Sequence, residues 1–230
     1  MMWMYGYYFE YYLFLLPALV LVFIAQGMLS SRYKKYGQML SRRGITGREA
    51  AERILRENGL MDVGIAQVAG RLSDHYHPGK KTVFLSDGVF GSTSVAAIGI
   101  AAHEVGHALQ HAGHYAPLRL RNVMVPVCNI GSNLGIPLCI LGAIFSFAPL
   151  VNLGLILFSL ATIFQLITLP VEFNASKRAL AQIEGLGILD GEELKGAKSV
   201  LTAAAMTYVA ALAQSLMTLL YFISRFRQRD

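Results

Sequence analysis

Two patterns of apolar residues alternate along these 230 residues. Continuous apolar runs are separated by segments in which apolar and polar positions recur with a helical or strand period. Residues 11–27 carry no charge and follow an aromatic cluster (Trp3, Tyr5, Tyr7, Tyr8, Phe9, Tyr11, Tyr12), the composition of a membrane span with an interfacial belt. Glu10 is the only charge before Arg32, so the basic start of a cleaved signal peptide is missing and an uncleaved anchor is predicted. Residues 122–171 are 50 consecutive positions without Asp, Glu, Lys, Arg or His. About 20 suffice for one helical span, so this run predicts two. Their turn is expected between Phe147-Ala-Pro149 and Asn152-Leu-Gly154. Residues 203–224 form a further apolar run that ends on Arg225, Arg227 and Arg229, which leaves a re-entrant or interfacial helix open beside a span. The predicted spans are 11–29, 123–146, 150–170 and 203–224. Residues 30–122 and 171–200 remain as the polar portion of one domain, 1–230.

The polar portion reads as short elements. Thr46-Gly-Arg-Glu49 has the form of a capping box and opens an amphipathic helix through Ile54 and Leu55 that stops near Gly59. Residues 63–69 and 81–85 have strand character around a turn at His77-Pro-Gly-Lys80, which predicts a small hairpin or sheet edge. Ser92-Thr-Ser94 offers a cap for a helix from Val95 to about His111, ending at Gly113. Pro170 is a local break before a helix over 172–183.

Composition makes the class plain: 54% hydrophobic and 15% charged residues are too apolar for an ordinary soluble domain. The net charge of +6 would suit nucleic acid, but no nucleic-acid partner is expected. Arg32, Lys34, Lys35, Arg42, Arg43 and Arg48 follow the first span, where basic residues hold a loop in the cytoplasm and place the N-terminus outside. Cys128 and Cys139 stand eleven residues apart, about 16 Å along a helix, too far for a disulfide.

Candidate chemistry lies in Ala101-Ala-His-Glu-Val-Gly-His-Ala-Leu-Gln-His111, which contains His103-Glu104-x-x-His107. Residues four apart share a helix face, so the two imidazoles can converge on one zinc ion while Glu104 flanks it. Chance produces such a match in a chain of this length about once in a hundred. A catalytic zinc usually has a third protein ligand. His111 stands about 12 Å from His103 along the helix axis, too far to share an ion. A third histidine at metzincin spacing would need Gly at 110 and His at 113, where Gln110 and Gly113 stand, and His114 misses by one. A carboxylate from a second helix is the other common solution. A hairpin over 122–171 returns the chain to the face it left, which makes Glu172 the candidate. His75 and His77, beside a turn, are expected to be ordinary exposed histidines.

Leu72-Ser-Asp-His-Tyr-His-Pro78, the His103-Glu104-x-x-His107 segment, Glu172-Phe-Asn-Ala-Ser176 and Ala203-Ala-Ala-Met-Thr-Tyr-Val-Ala210 together resemble the YugP-type bacterial membrane zinc metallopeptidases over nearly the whole chain. The resemblance implies a neutral zinc peptidase of the bacterial plasma membrane, more distantly like HtpX and the CAAX prenyl proteases. In those relatives the third ligand is the Glu of an E-x-x-x-[AD] type motif. Glu172 matches that position, while Ser176 stands where the distant relatives have Asp. His77 replaces the acidic residue of the family's D-H-Y-D-P form, so no role for that turn is carried over.

The expected fold is therefore a mainly α integral membrane protein with about four transmembrane helices and a small α+β, zincin-like cytoplasmic portion carrying a short hairpin or sheet. The expected reaction is zinc-assisted hydrolysis of peptides or membrane proteins, with Glu104 taking the proton of water and returning it to the leaving amine. Asn174 and Ser176 are candidates for orienting the ligand imidazoles. Tyr208, Arg178 and His114 are chemically able to donate to an oxyanion, though Tyr208 equally suits a packed membrane-interface residue; the strand over 81–85 suits either pairing with an extended peptide or a buried sheet edge. A non-hydrolytic zinc-holding scaffold is the competing reading, and it leaves Glu104 without a role. A transporter should show ionisable residues within its spans, and these spans have none.

Overall fold

The computed structural model describes the backbone of residues 2–227 and the side chains of residues 10–131 and 133–225. The side chains of Trp3, Tyr5, Tyr7, Tyr8 and Phe9 and of Arg227, and all of Arg229, lie outside the described residues. In chain order the elements are α1 Met2–Gly37, α2 Gly47–Glu57, β1 Gly64–Val68, β2 His75–His77, β3 Thr82–Ser86, α3 Asp87–Phe90, α4 Val95–Ala112, α5 Ala116–Ile144, α6 Ala148–Gly185 and α7 Gly191–Arg227. Among the described residues, four helices, α1, α5, α6 and α7, are long and apolar enough to cross a membrane. The chain packs as two units: one of residues up to 26, 120–169 and from 207 onward, the other of 27–119 and 170–206. Each long helix contributes to both.

In the first unit, small residues let helices approach closely. A Cβ added to Gly142 of α5 would lie 2.7 Å from the Val151 nitrogen of α6, and one on Gly154 would lie 2.7 Å from the Cys139 nitrogen. The α5–α6 turn falls at residues 145–147, slightly before the predicted position, because Pro149, Asn152 and Gly154 are taken into the first turns of α6. Tyr11 of α1 meets Tyr221 of α7 edge-on at 5.0 Å, and Glu10 lies 3.6 Å from Arg225. These pairs join the start of α1 to the end of α7, so the two helices run antiparallel. Helix α7 is continuous, like α1. Thr162 of α6 and Ser215 of α7 share a buried hydrogen bond of 2.7 Å.

The second unit is built around α4. Nearly every residue of this helix from Val95 to Gln110 is buried, against α2 and α3, β2 and β3 of the sheet, and the flanking helices. Its start is fixed by the Ser94 hydroxyl, which accepts from the Ala97 amide, and its C-cap is Gly113, as the sequence predicts. The Thr46–Glu49 capping box likewise forms, with both reciprocal bonds present. Ile54, Leu85, Ile98, Ile183, Ile188 and Leu189 are the largest fully buried apolar side chains here.

Three expectations are corrected. A hairpin forms about the predicted turn, but its first strand is β2 and not the strand over 63–69: β2 pairs antiparallel to β3 while β1 pairs parallel to β3, giving the order β1-β3-β2. Asp74 pins this arrangement by accepting from both the amide and the hydroxyl of Ser86. Strand β3 is thus central, paired with β1 along its whole length and with β2 over Thr82–Phe84, so it is not the open edge that pairing with a peptide would use. Pro170 does not end a helix, since α6 runs through it. It instead marks the point where α6 passes from one packing unit to the other.

Candidate metal centre

Helix α4 brings His103 and His107 to one face, one turn apart, with ring centroids separated by 4.8 Å. Helix α6 supplies Glu172. The Glu172 Oε2 lies 3.3 Å from His103 Nε2 and 3.7 Å from His107 Nε2, and the three candidate ligand atoms are all within 4.8 Å of one another. Among the described residues, no other group of three His, Cys, Asp or Glu side chains clusters in this way. The helices come this close because position 106 has no side chain: a Cβ there would sit 2.5 Å from the Ala175 carbonyl oxygen of α6. Gly106, within the H-E-x-x-H segment, therefore sets the distance across which Glu172 must reach.

Each imidazole is also held from behind. His103 Nδ1 lies 3.1 Å from Ser176 Oγ, and His107 Nδ1 lies 3.0 Å from Gln110 Oε1. Glu104 and Glu172 are buried, as is His107. Burial disfavours the charged form of His107, but the Glu172 carboxylate, the negative charge of Glu104 and the Gln110 contact outweigh it and raise its pKa above the ordinary value. This corner of the protein favours positive charge.

The donor set fits zinc. Two imidazole nitrogens and one carboxylate oxygen are a common catalytic-zinc set, and ligands about 2.1 Å from a tetrahedral ion stand about 3.4 Å apart. The two Glu172 separations, 3.3 and 3.7 Å, straddle that spacing, and all three ligand atoms lie within 4.8 Å of one another. The profile of the family described as "Putative neutral zinc metallopeptidase" matches residues 11–227. The chain belongs to that family. It is also 47% identical, over 92% of its length and 94% of the relative's, to the Bacillus subtilis (strain 168) protein named "Putative membrane protease YugP". No solved structure matches it significantly. Together with the four apolar helices, these relationships make the chain a multi-pass membrane protein of a zinc metallopeptidase family.

The other candidates from the sequence have different surroundings. Ser176 contacts His103 directly, whereas Asn174 reaches neither imidazole and instead accepts from Gln110 and Arg178. Arg178 is engaged there and over the Tyr115 ring. His111 is bonded to Tyr76 at 2.8 Å, and His114 lies past the end of α4 with φ of 50°. His75 stacks on Phe84, and His77 accepts from the Lys80 amide within its turn. Tyr208 lies on α7 in the other packing unit, with 37% of its surface exposed. Gln110 is the residue that sequence reasoning missed. Its only signal was an amide three positions after His107, on a helix face with no water to satisfy it.

Proposed function

We propose that this chain is a zinc-dependent endopeptidase of the bacterial plasma membrane, a single membrane metallopeptidase domain with a zincin-like catalytic portion at the cytoplasmic membrane face. One zinc is held by His103, His107 and Glu172. The observation that carries this reading is the spacing of those three ligand atoms, with Glu172 brought to two histidines that stand 65 and 69 positions before it in sequence. Zinc, when bound, supplies the Lewis acidity that makes water a nucleophile near neutral pH and polarises a scissile carbonyl. Glu104, next to His103 and not a ligand, takes the proton from water and delivers it to the leaving amine. His103 and His107 serve as neutral ligands, with Nδ1 atoms held by Ser176 and Gln110 so that both Nε2 atoms converge. The substrate is a peptide or a membrane protein.

The cytoplasmic placement rests on charge and on an even number of crossings. Arg32, Lys34, Lys35, Arg42, Arg43 and Arg48 follow α1 immediately, and the antiparallel α5–α6 hairpin returns Glu172 to the side from which α5 departed. Cysteine labels near Lys80 and Lys195 are expected to be shielded from membrane-impermeant reagent in intact cells. An accessible label at Lys195 alone would imply an odd number of crossings and remove this placement.

The decisive experiment uses purified, detergent-solubilised protein. Glu104→Gln is expected to keep zinc and lose peptide hydrolysis, and Glu172→Ala to lose zinc far more than His111→Ala or His114→Ala does. Full activity in Glu104→Gln would eliminate the mechanism. Zinc retained by a wild-type protein with no activity on any peptide would favour the scaffold.

A further inference from the structure

We propose that Gln110 is a positioning residue that sets which nitrogen of His107 carries the proton and which faces the metal. The inference rests on the zinc-site reading above and adds to it the group that enforces ligand direction. Gln110 is fully buried, so each of its polar atoms must find a protein partner. Its Nε2 donates to the Val171 carbonyl oxygen at 2.8 Å and to Asn174 Oδ1 at 3.0 Å, and its Oε1 faces His107 Nδ1 at 3.0 Å.

An amide viewed by itself could point either way, but here both ends of the chain of bonds are fixed by chemistry. A backbone carbonyl only accepts, so the nitrogen of Gln110 must face Val171. A guanidinium only donates, so the oxygen of Asn174 must face Arg178 Nε at 2.8 Å, and that oxygen is then also the acceptor for Gln110. With both amide hydrogens committed, Gln110 presents only an acceptor to His107. In the neutral form that binds a metal, the imidazole must place its proton on Nδ1, which leaves the Nε2 lone pair for the metal position beside Glu172.

His103 lacks such enforcement. Its Nδ1 partner is the Ser176 hydroxyl, which can donate or accept and so permits either tautomer. The two ligands of one ion are thus held by unequal means. Gln110 also ties α4 to α6 at Val171, the residue beside Glu172, so one side chain sets both the direction of His107 and the register of the third ligand.

The test uses the full-length protein in detergent with 15N-labelled histidine. In zinc-loaded wild type, the His107 Nδ1–H is expected as a resonance protected from exchange. Gln110→Met, close in shape but without polar atoms, is expected to lose that signal and bind zinc about 10–100-fold more weakly. Gln110→Glu keeps an acceptor toward His107 but gives up both donors, setting an oxygen against the Val171 carbonyl and Asn174 Oδ1, and is expected to restore the signal in part and to hold zinc more tightly than Gln110→Met but less tightly than wild type. Asn174→Leu is expected to have a smaller effect, because Val171 still orients the amide, and it serves as the probe if Gln110→Met does not fold. Zinc affinity within twofold of wild type in Gln110→Met, or a persisting Nδ1–H signal, would overturn the proposal. Wild-type protein that binds no zinc would instead overturn the metal centre itself, and Glu172→Ala, measured in parallel, separates the two failures.

Discussion

The two packing units of this protein distribute large and small apolar residues in opposite ways. In the unit around α4, bulky residues such as Ile54, Leu85, Ile98 and Ile183 are fully buried, and the polar groups buried with them, Gln110 and Glu172 among them, are paired. In the unit formed by residues up to 26, 120–169 and from 207 onward, glycine, alanine and cysteine lie between helices, while Phe23, Val123 and Phe145 are more than 70% exposed. The difference follows from the solvent each unit meets. Water drives large apolar side chains inward, whereas lipid is as apolar as leucine and gives no such drive, so helices there associate through close backbone contact and buried hydrogen bonds. The cluster of His103, His107 and Glu172 belongs to the first kind of interior, where a charged or polar group must be paired or coordinated.

This contrast can be tested by making matched changes in the two units and measuring unfolding by SDS titration in mixed micelles. The largest effect is expected from Ile98→Ala, a truncation in the core packed beneath the H-E-x-x-H helix, which should cost about 2–5 kcal/mol and lower zinc affinity with it. A cost under about 1 kcal/mol would mean that this unit is not organised by apolar burial. Next comes Gly106→Ala. Its new methyl would press on the Ala175 carbonyl and is expected to cost about 1–3 kcal/mol, with zinc affinity falling more than stability alone accounts for, because the α4–α6 distance sets the Glu172 reach. Gly135→Ala in the other unit meets the Phe158 backbone at 2.9 Å and should cost a similar amount while leaving zinc affinity nearly unchanged. Equal loss of zinc in both variants would erase the distinction. The smallest effects are expected in the lipid-facing unit. Thr162→Val, which removes the bond to Ser215, should cost about 0.6 kcal/mol. Phe23→Ala should change stability by less than about 0.5 kcal/mol.

Opposing requirements meet at α6. Its apolar run through Leu169 obeys the lipid rule, and from Pro170 onward it serves the buried polar site, with Val171, Glu172, Asn174, Ser176 and Arg178 all engaged by partners in the site unit. One uninterrupted helix carries both regimes. The proline removes one backbone donor at their junction without ending the helix, because surrounding packing outweighs local propensity there.

What could be read from the sequence was whatever depends on neighbours along the chain. The Thr46–Glu49 capping box, the Ser94 cap, the limits of α4 and the pairing of His103 with His107 all rest on spacings of a few residues, and a helix converts such spacings directly into geometry. Glu172 could be reached as well, because an uncharged run of fixed length must cross and return. Tertiary structure alone decided the rest. The three-residue strand β2 is too short to show a period, yet it takes the antiparallel side of β3 and leaves β1 to pair in parallel. The role of Gln110 was hidden for a related reason: its partners Val171 and Asn174 stand 61 and 64 positions away, and only packing α4 against α6 with water excluded gives that amide a direction. A spacing can place two ligands on one face of a helix, but what orients a ligand from behind depends on which elements meet there and on the absence of water to take their place.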